Sequence, residues 1–381
     1  MYLTTHSIKR SAARKIVAAL FFPILAFAVF FPRQALQAQF SCKGQLCSFL
    51  PLSQENLNSM LHEFKTQYTD VLFNDMGEAA VVANIAGPPL GTINLKGFTL
   101  GTNFAVAAVK PHDVNVQVPG TAEFQKIPAS GGAISPRVYF GANLGQLIGM
   151  DYDPFSSSKS PSIFSLSRFA LFLSYMENTE TLQNNNNIQA NVKGTVSLRG
   201  VELRYHLVEG GNILGGPLLR FHGVSLGIGM YTSRLHIEAE QKDSELGFNV
   251  EGVEMTWKGR NYISMNTRVD SYPIEIKTGI QFLYLLNLYL GAGVVSSKGA
   301  ADFHMSRTGT VSVQTSLPLL QGLDIPPAEL GIQIEGHGSV PARMAYFKAG
   351  VEFNLLWAKL TVEGIATKRT YGANFGVRVE L

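Results

Sequence analysis

The chain has 381 residues, a net charge of only +3, 15% charged residues, 37 glycines and 24 phenylalanines. Near-neutral charge speaks against a nucleic-acid binder, which carries a basic domain or stripe. The length admits two or three ordinary domains or one large all-β domain, and a glycine-rich, aromatic-rich, charge-poor composition suits closely packed strands.

The chain begins with a cationic patch, Lys9, Arg10, Arg14 and Lys15, followed by an apolar run over residues 16–31 and then small residues up to Ala38. This order reads as a secretory signal over residues 1–38, the apolar run being short of the roughly 20 residues that a spanning helix needs. Two cysteines follow, Cys42 and Cys47. A local disulfide in an oxidising compartment and lipidation at Cys42 are both open, and no histidine or further cysteine completes a zinc set.

Ser53 can cap a helix running to about Asn74, because Leu57, Met60, Leu61, Phe64, Tyr68, Val71 and Leu72 recur at helical spacing. Residues 39–90 therefore form an N-terminal helical segment, packed on the body of the protein, periplasmic, or plugging a barrel mouth, with a break at Gly87-Pro88-Pro89.

From Gly97 on, period two dominates. Phe98, Leu100, Thr102, Phe104 and Val106 share one face, as do Phe169, Leu171, Leu173 and Tyr175, and Val224, Leu226, Ile228 and Met230. The stripe Ile274, Ile276, Ile280, Phe282 and a second one, Leu288, Leu290, Ala292, Val294, form a hairpin turning near residues 285–287. Val192, Val196 and Leu198 have the opposite parity to Val201, Leu203 and Tyr205, which predicts a bulge at Arg199-Gly200. Polar loops are expected at residues 151–162, 177–187, 241–245 and 295–300, and a short turn at Leu355-Leu356-Trp357. Short turns on one rim and long loops on the other predict an all-β fold: a transmembrane antiparallel β-barrel of about 12 strands over residues 91–381. A secreted β-sandwich is the soluble alternative, in which the stripes would be core.

Glu202, Arg204, Glu275, Lys277, Arg378 and Glu380 fall on the face opposite the stripes and are expected to line a solvated lumen. Asp302, His304 and Ser306 share one strand face and are the parts of a nucleophilic triad. Ala301, Phe303 and Met305 read as lipid-facing, however, which turns the three polar residues to the wet lumen, where such groups are ordinary. Asp151 and Asp153 fall short of an EF-hand ligand set. Neither an enzyme nor a cofactor or metal protein is expected.

The chain closes on the alternating stretch YGANFGVRVEL. Asn374, Gly376, Val379 and Leu381 resemble the C-terminal assembly signal of bacterial outer-membrane barrels, with Leu381 where the usual last residue is aromatic. Leu72-Phe73-Asn74-Asp75-Met76-Gly77 with the Ala-rich stretch after it, and Phe221-His222-Gly223-Val224 followed by Leu226-Gly227-Ile228-Gly229, resemble spirochaete outer-membrane surface proteins of the leptospiral laminin-binding type. The resemblance implies an outer-membrane, surface-exposed protein or lipoprotein, adhesin-like, whose polar loops meet host extracellular matrix. It implies outer-membrane lipid and the barrel-assembly machinery as further partners. The alternative is a passive porin or hydrophobic-solute channel with an N-terminal plug.

Overall fold

The computed structural model describes residues 39–45, 47, 53–88, 95, 97–117, 124–149, 164–183, 190–214, 218–250, 253–314, 326–355 and 357–381. The expected signal segment, the 151–162 loop with Asp151 and Asp153, and the asparagine run at 184–187 lie outside these residues.

In chain order the strands are β1 (Gln39–Lys43), β2 (Phe98–Val109), β3 (His112–Gln117), β4 (Phe124–Ala129), β5 (Gly132–Asn143), β6 (Phe169–Gln183), β7 (Ala190–Val208) and β8 (Gly211–Leu214). They continue as β9 (Leu219–Val250), β10 (Val253–Phe282), β11 (Leu286–Gln314), β12 (Ala328–Ser339), β13 (Arg343–Leu355), β14 (Ala358–Ala366) and β15 (Thr370–Glu380). Among the described residues, the ring runs β11, β10, β9, β7, β6, β5, β2, β15, β14, β13 and back to β11, where Leu286 to Ser296 pair with Phe353 to Arg343. Every pairing in the ring is antiparallel, so the fold is a closed barrel and has no free edge at this level. The expected twelve strands compare with ten in the ring and thirteen in the whole sheet. Two surplus strands stand above the ring, where β12 pairs with the far half of β11 and β1 pairs with β12; the third, β8, is a short hairpin arm on the start of β9 at the opposite end.

Outside the ring is an apolar belt. Leu100, Ile274, Leu290 and Phe375 are each about half exposed, at 52%, 48%, 51% and 49%. So much exposed apolar surface is stable against lipid and excludes the sandwich, which would bury it. β15 has 11 residues, which at about 3.4 Å rise and a tilt of about 40–45° cover roughly the 25 Å of a barrel's apolar band. Tyr175, Tyr272, Phe347 and Tyr371 stand toward one border of the belt, and Tyr284 and Trp357 toward the other. The fold is a transmembrane antiparallel β-barrel.

The rims differ from the expected loop pattern. The tight turns at residues 283–285 and at Trp357 share one rim with Phe98, Leu381 and the long 143–169 connection; we call this rim the lower one. Residues 241–245 and 295–300 lie inside β9 and β11, and 177–183 inside β6, because β9, β10 and β11, with 32, 30 and 29 residues, run far past the belt on the upper side. The predicted bulge at Arg199-Gly200 is absent: β6 and β7 pair in unbroken register from Tyr205 to Asn191. The parity change has another cause. Val201 and Leu203 point outward to lipid, whereas Leu198, 1% exposed, points inward beside Met76 and Ala80. Gly200 is small because the Tyr231 ring occupies the place of its Cβ.

Met76 and Ala80 belong to the helical segment. Helix α1 (Gln54–Phe64) is capped by Ser53, whose Oγ accepts from Asn56 N–H at 3.3 Å. It continues through a π-helical turn, Lys65–Thr69, into α2 (Asp70–Ile85), well beyond the expected end near Asn74. α2 is buried from Ala79 to Ile85 without interruption and packs on β2, β5, β9, β10, β11, β12 and β15, so it lies inside the ring. A helix surrounded on all sides has no polar face, and amphipathic periodicity stops where burial becomes complete.

Candidate functional site: the filled lumen and its upper extension

The lower lumen is built from the inward-facing positions of the belt strands. On β10 these are Ser271, Pro273, Glu275, Lys277 and Gln281, alternating with Tyr272, Ile274, Ile276 and Phe282 outside. The six charged residues expected to line the lumen do face inward, but five of them are not solvated: Glu202, Arg204, Glu275, Lys277 and Arg378 are all under 9% exposed, while Glu380 near the lower rim is half-buried. Charges removed from water need partners, and the barrel supplies them. Glu275 meets Arg204 at 3.2 Å, Lys277 at 3.1 Å and Lys348. Lys277 also reaches Glu363 at 3.2 Å, and Arg378 joins Glu352 at 2.9 Å and Glu380 at 3.2 Å. Arg204 pairs with Glu202, which also accepts from the Tyr231 hydroxyl. Lys348, Glu352 and Glu363 were not singled out from the sequence, although each lies on the inward parity of a strand whose outward face is apolar.

Inward aromatic rings fill the space between these groups. Tyr139, Tyr231 and Tyr289 are each 1% exposed, and each lies over a glycine of the next strand, Gly101, Gly200 and Gly350, where any Cβ would overlap the ring. Gly141 plays the same part for Phe172, as a lumen-facing glycine.

The end of α2 lands on this layer. Arg137 Nη2 donates to the Ala83 and Asn84 carbonyls at 3.1 and 3.0 Å, and Lys348 Nζ to Ile85 O at 2.9 Å. Asn374 Nδ2 donates to Ala86 O at 3.2 Å and Gly87 O at 3.3 Å, and Asn103 Nδ2 to Gly87 O at 3.1 Å. The last carbonyls of a helix lack intrahelical partners and carry its negative dipole end, so two cations and two amides there satisfy both needs. Of the proposed assembly-signal residues, Asn374 thus holds the helix end and Gly376 is buried on the same inward face. Leu381 points outward at 79% exposure, while Val379 is half-buried on the outward parity.

Above the belt the faces exchange character. β10 carries Asp270, Arg268 and Asn266 outside, with Val269, Thr267 and Met265 inside. Ala301, Phe303 and Met305 do not face lipid. Phe303 stacks on Phe73 of α2 with centroids 5.1 Å apart, and Met305 packs with Leu61 of α1. Asp302, His304 and Ser306 therefore point outward, which reverses the sequence reading of this strand. They form no triad: Asp302 pairs with His337 Nδ1 at 2.6 Å, and the nearest carboxylate to His304 is Glu335 at 3.6 Å.

At the top of the lumen Asp75, 1% exposed, meets Arg369 at 2.6 Å and His112 at 3.6 Å. Burial raises its pKa, and the neighbouring His112 and Arg369 oppose that rise. Beyond it, β1 pairs with β12, and Cys42 and Cys47 are joined in a disulfide, their Cα atoms 5.7 Å apart.

A family model described as Lsa36-like matches residues 35–381. The chain belongs to the Lsa36-like family. No curated protein matches it. Among solved structures, this Lsa36-like chain is similar to the translocator domain of the autotransporter NalP from Neisseria meningitidis, at 8% identity and a TM-score of 0.26, covering 75% of this chain and 88% of that one. It is also similar to the transport unit of the autotransporter AIDA-I from Escherichia coli, at 8% identity and a TM-score of 0.24, covering 75% and 90%. A Pseudomonas aeruginosa FadL homologue matches at 10% identity and a TM-score of 0.23, covering 81% and 98%.

Proposed function

We propose that this Lsa36-like protein is a surface-exposed protein of the bacterial outer membrane, adhesin-like, which offers the polar wall and loops above its belt to host extracellular matrix. One observation carries the reading: β9, β10 and β11 extend far beyond the apolar belt and present Arg234, His236, Glu238, Asn266, Arg268 and Asp302 outward. A wall built only to cross a membrane would stop at the belt's edge. Outer-membrane lipid covers the belt, and the Asn374, Gly376, Val379, Leu381 pattern serves the barrel-assembly machinery. The family name and the resemblance to laminin-binding surface proteins support the same direction.

The test is a barrel whose β9–β10 extension is shortened between Arg234 and Asn266. The variant should still shift in mobility between unboiled and boiled gel samples, as a closed barrel does, and should lose binding to immobilised matrix proteins. Unchanged binding, or none by the full chain, sinks the adhesin reading.

The helix in the lumen favours a second reading, a channel plugged by its own N-terminal segment. Under it, deleting residues 51–86 raises conductance in planar bilayers. Under the first reading the charged layer below the helix keeps the barrel closed.

A further inference from the structure

Helix α2 does not enter the lumen from the rim where β2 begins. Its start lies at the upper rim: Asp70 Oδ1 accepts from His337 N–H, Asn74 Oδ1 from Ser339 N–H, and Asp75 faces Arg369 in the β14–β15 turn. Its end lies deeper, where Arg137 and Lys348 hold its last carbonyls. Gly87 is lower again, on Asn103 and Asn374. Leu95 packs inside the wall against Tyr139, Ala170 and Phe172, and its carbonyl accepts from Asn143 Nδ2 at 3.0 Å. Phe98 then opens β2 on the lower rim, hydrogen-bonded to Leu381. These anchors descend in order, so the described residues from Asp70 to Gly87, then Leu95 and Phe98, stand at successively lower levels of the barrel.

The amino-terminal side of that path lies far above the belt. Cys42 pairs with Leu330, which pairs with Gly309 of β11, and Gly309 is 15 residues beyond Val294 at the belt's edge. That is about 50 Å of strand at 3.4 Å per residue. The long extensions of outer-membrane barrels are extracellular and the short turns periplasmic.

From this path we infer that residues 39–45 and 53–64, with the Cys42–Cys47 disulfide and α1, are displayed on the cell's outer face, and that the described residues 85–88 and Leu95 lie on a passage through the outer membrane inside the barrel. The inference rests on the surface reading for its orientation. It assigns the N-terminal layer to the exposed face instead of the periplasm, so any partner of the upper wall meets β1 and α1 as well. The protein carries its own N-terminal segment across the membrane it spans.

Single-thiol labelling on intact cells tests this. The disulfide-bonded Cys42 and Cys47 do not react, so Glu55→Cys, Lys368→Cys and Gly211→Cys each add one exposed thiol, on α1, the upper rim and the lower rim. With a membrane-impermeant maleimide, Glu55→Cys and Lys368→Cys should label alike on intact cells, and Gly211→Cys only after the outer membrane is permeabilised. If Lys368→Cys labels and Glu55→Cys waits for permeabilisation, the threaded path is wrong while the surface reading stands. If Gly211→Cys alone labels, the barrel is inverted and both fall. On the unaltered chain, impermeant amine labelling at the exposed Lys43, read by peptide mass, repeats the test without a substitution. Modification there on intact cells is expected, and its absence while Lys368 is modified overturns the inference.

Discussion

Two halves of one wall obey opposite rules. Below a line that passes between Tyr175 and Glu177, Val201 and Arg199, Met230 and Thr232, and Tyr272 and Asp270, the barrel is apolar outside and charged inside. Above that line it is polar outside and apolar inside. β10 keeps its partners there, since it pairs with β11 in register across the whole boundary and with β9 on both sides of it, although β11 exchanges β13 for β12. What changes is the medium on each side. Lipid gives way to water outside, and the ionic layer gives way to an alanine- and valine-rich helix inside. A strand fixes only that neighbouring side chains oppose each other; which set is apolar is decided by what each face touches.

The largest effect should come from the lower interior. Glu275→Ala leaves Arg204, Lys277 and Lys348 short of a countercharge in a dry layer. Breaking a buried ion pair from one side costs about 3–5 kcal/mol. Urea titration of the detergent-folded barrel should show that loss. Glu238→Ala removes a carboxylate paired with His236 on the upper exterior, and at such an exposed site should cost about 0–1 kcal/mol. Equal costs would mean that the lower lumen is hydrated after all.

Next comes the outer face. Ile276→Arg places a cation in the belt, which costs about 2–4 kcal/mol near the bilayer midplane. Asn266→Arg lies on the outward side of the same strand above the line and should change stability by no more than about 0.5 kcal/mol. The two variants, refolded side by side into lipid vesicles, locate the membrane border on β10.

Where the two halves meet, Arg137→Met removes two charge-assisted bonds to the end of α2. Bonds of that kind contribute about 1.5–3 kcal/mol. The loss should appear first as faster hydrogen exchange in α2, ahead of the belt strands. Uniform acceleration across helix and belt would show instead that helix and wall unfold as one unit.

The lower half was legible in the sequence because lipid allows a single reading of the outward stripe, and the charges opposite it had to face the lumen. Their pairing was not legible. Arg204 and Glu275 are 71 residues apart, and Lys277 and Glu363 are 86 apart, so only closure of the ring brings them together. For the same reason a solvated lumen was expected where a dry one exists. In the upper half the alternation was just as plain, but its faces could not be assigned without knowing what fills the lumen. Phe303 and Met305 read as lipid-facing because nothing in their own strand reports Phe73 or Leu61 behind them. The far half of α2 was missed for a related cause. A helix wrapped by strands shows no 3.6-residue stripe, and Ala79 to Ile85 carry none.

The smallest expected effect is the sharpest check on that reversal. If Asp302, His304 and Ser306 faced the lumen, replacing them would disturb buried packing or unpair a buried charge. In the structure Asp302 and its partner His337 are 54% and 64% exposed, and His304 is separated by 3.6 Å from a half-exposed Glu335. Exposed pairs of this kind contribute about 0–1 kcal/mol, less at high salt. Asp302→Ala and Ser306→Ala should therefore unfold within about 1 kcal/mol of the parent, whereas Phe303→Ala, one residue along and facing α2, should cost about 3 kcal/mol or more. A cost that alternates with residue parity across 302, 303 and 306 places the helix behind the odd-numbered residues, and the opposite alternation would return the apolar face to lipid.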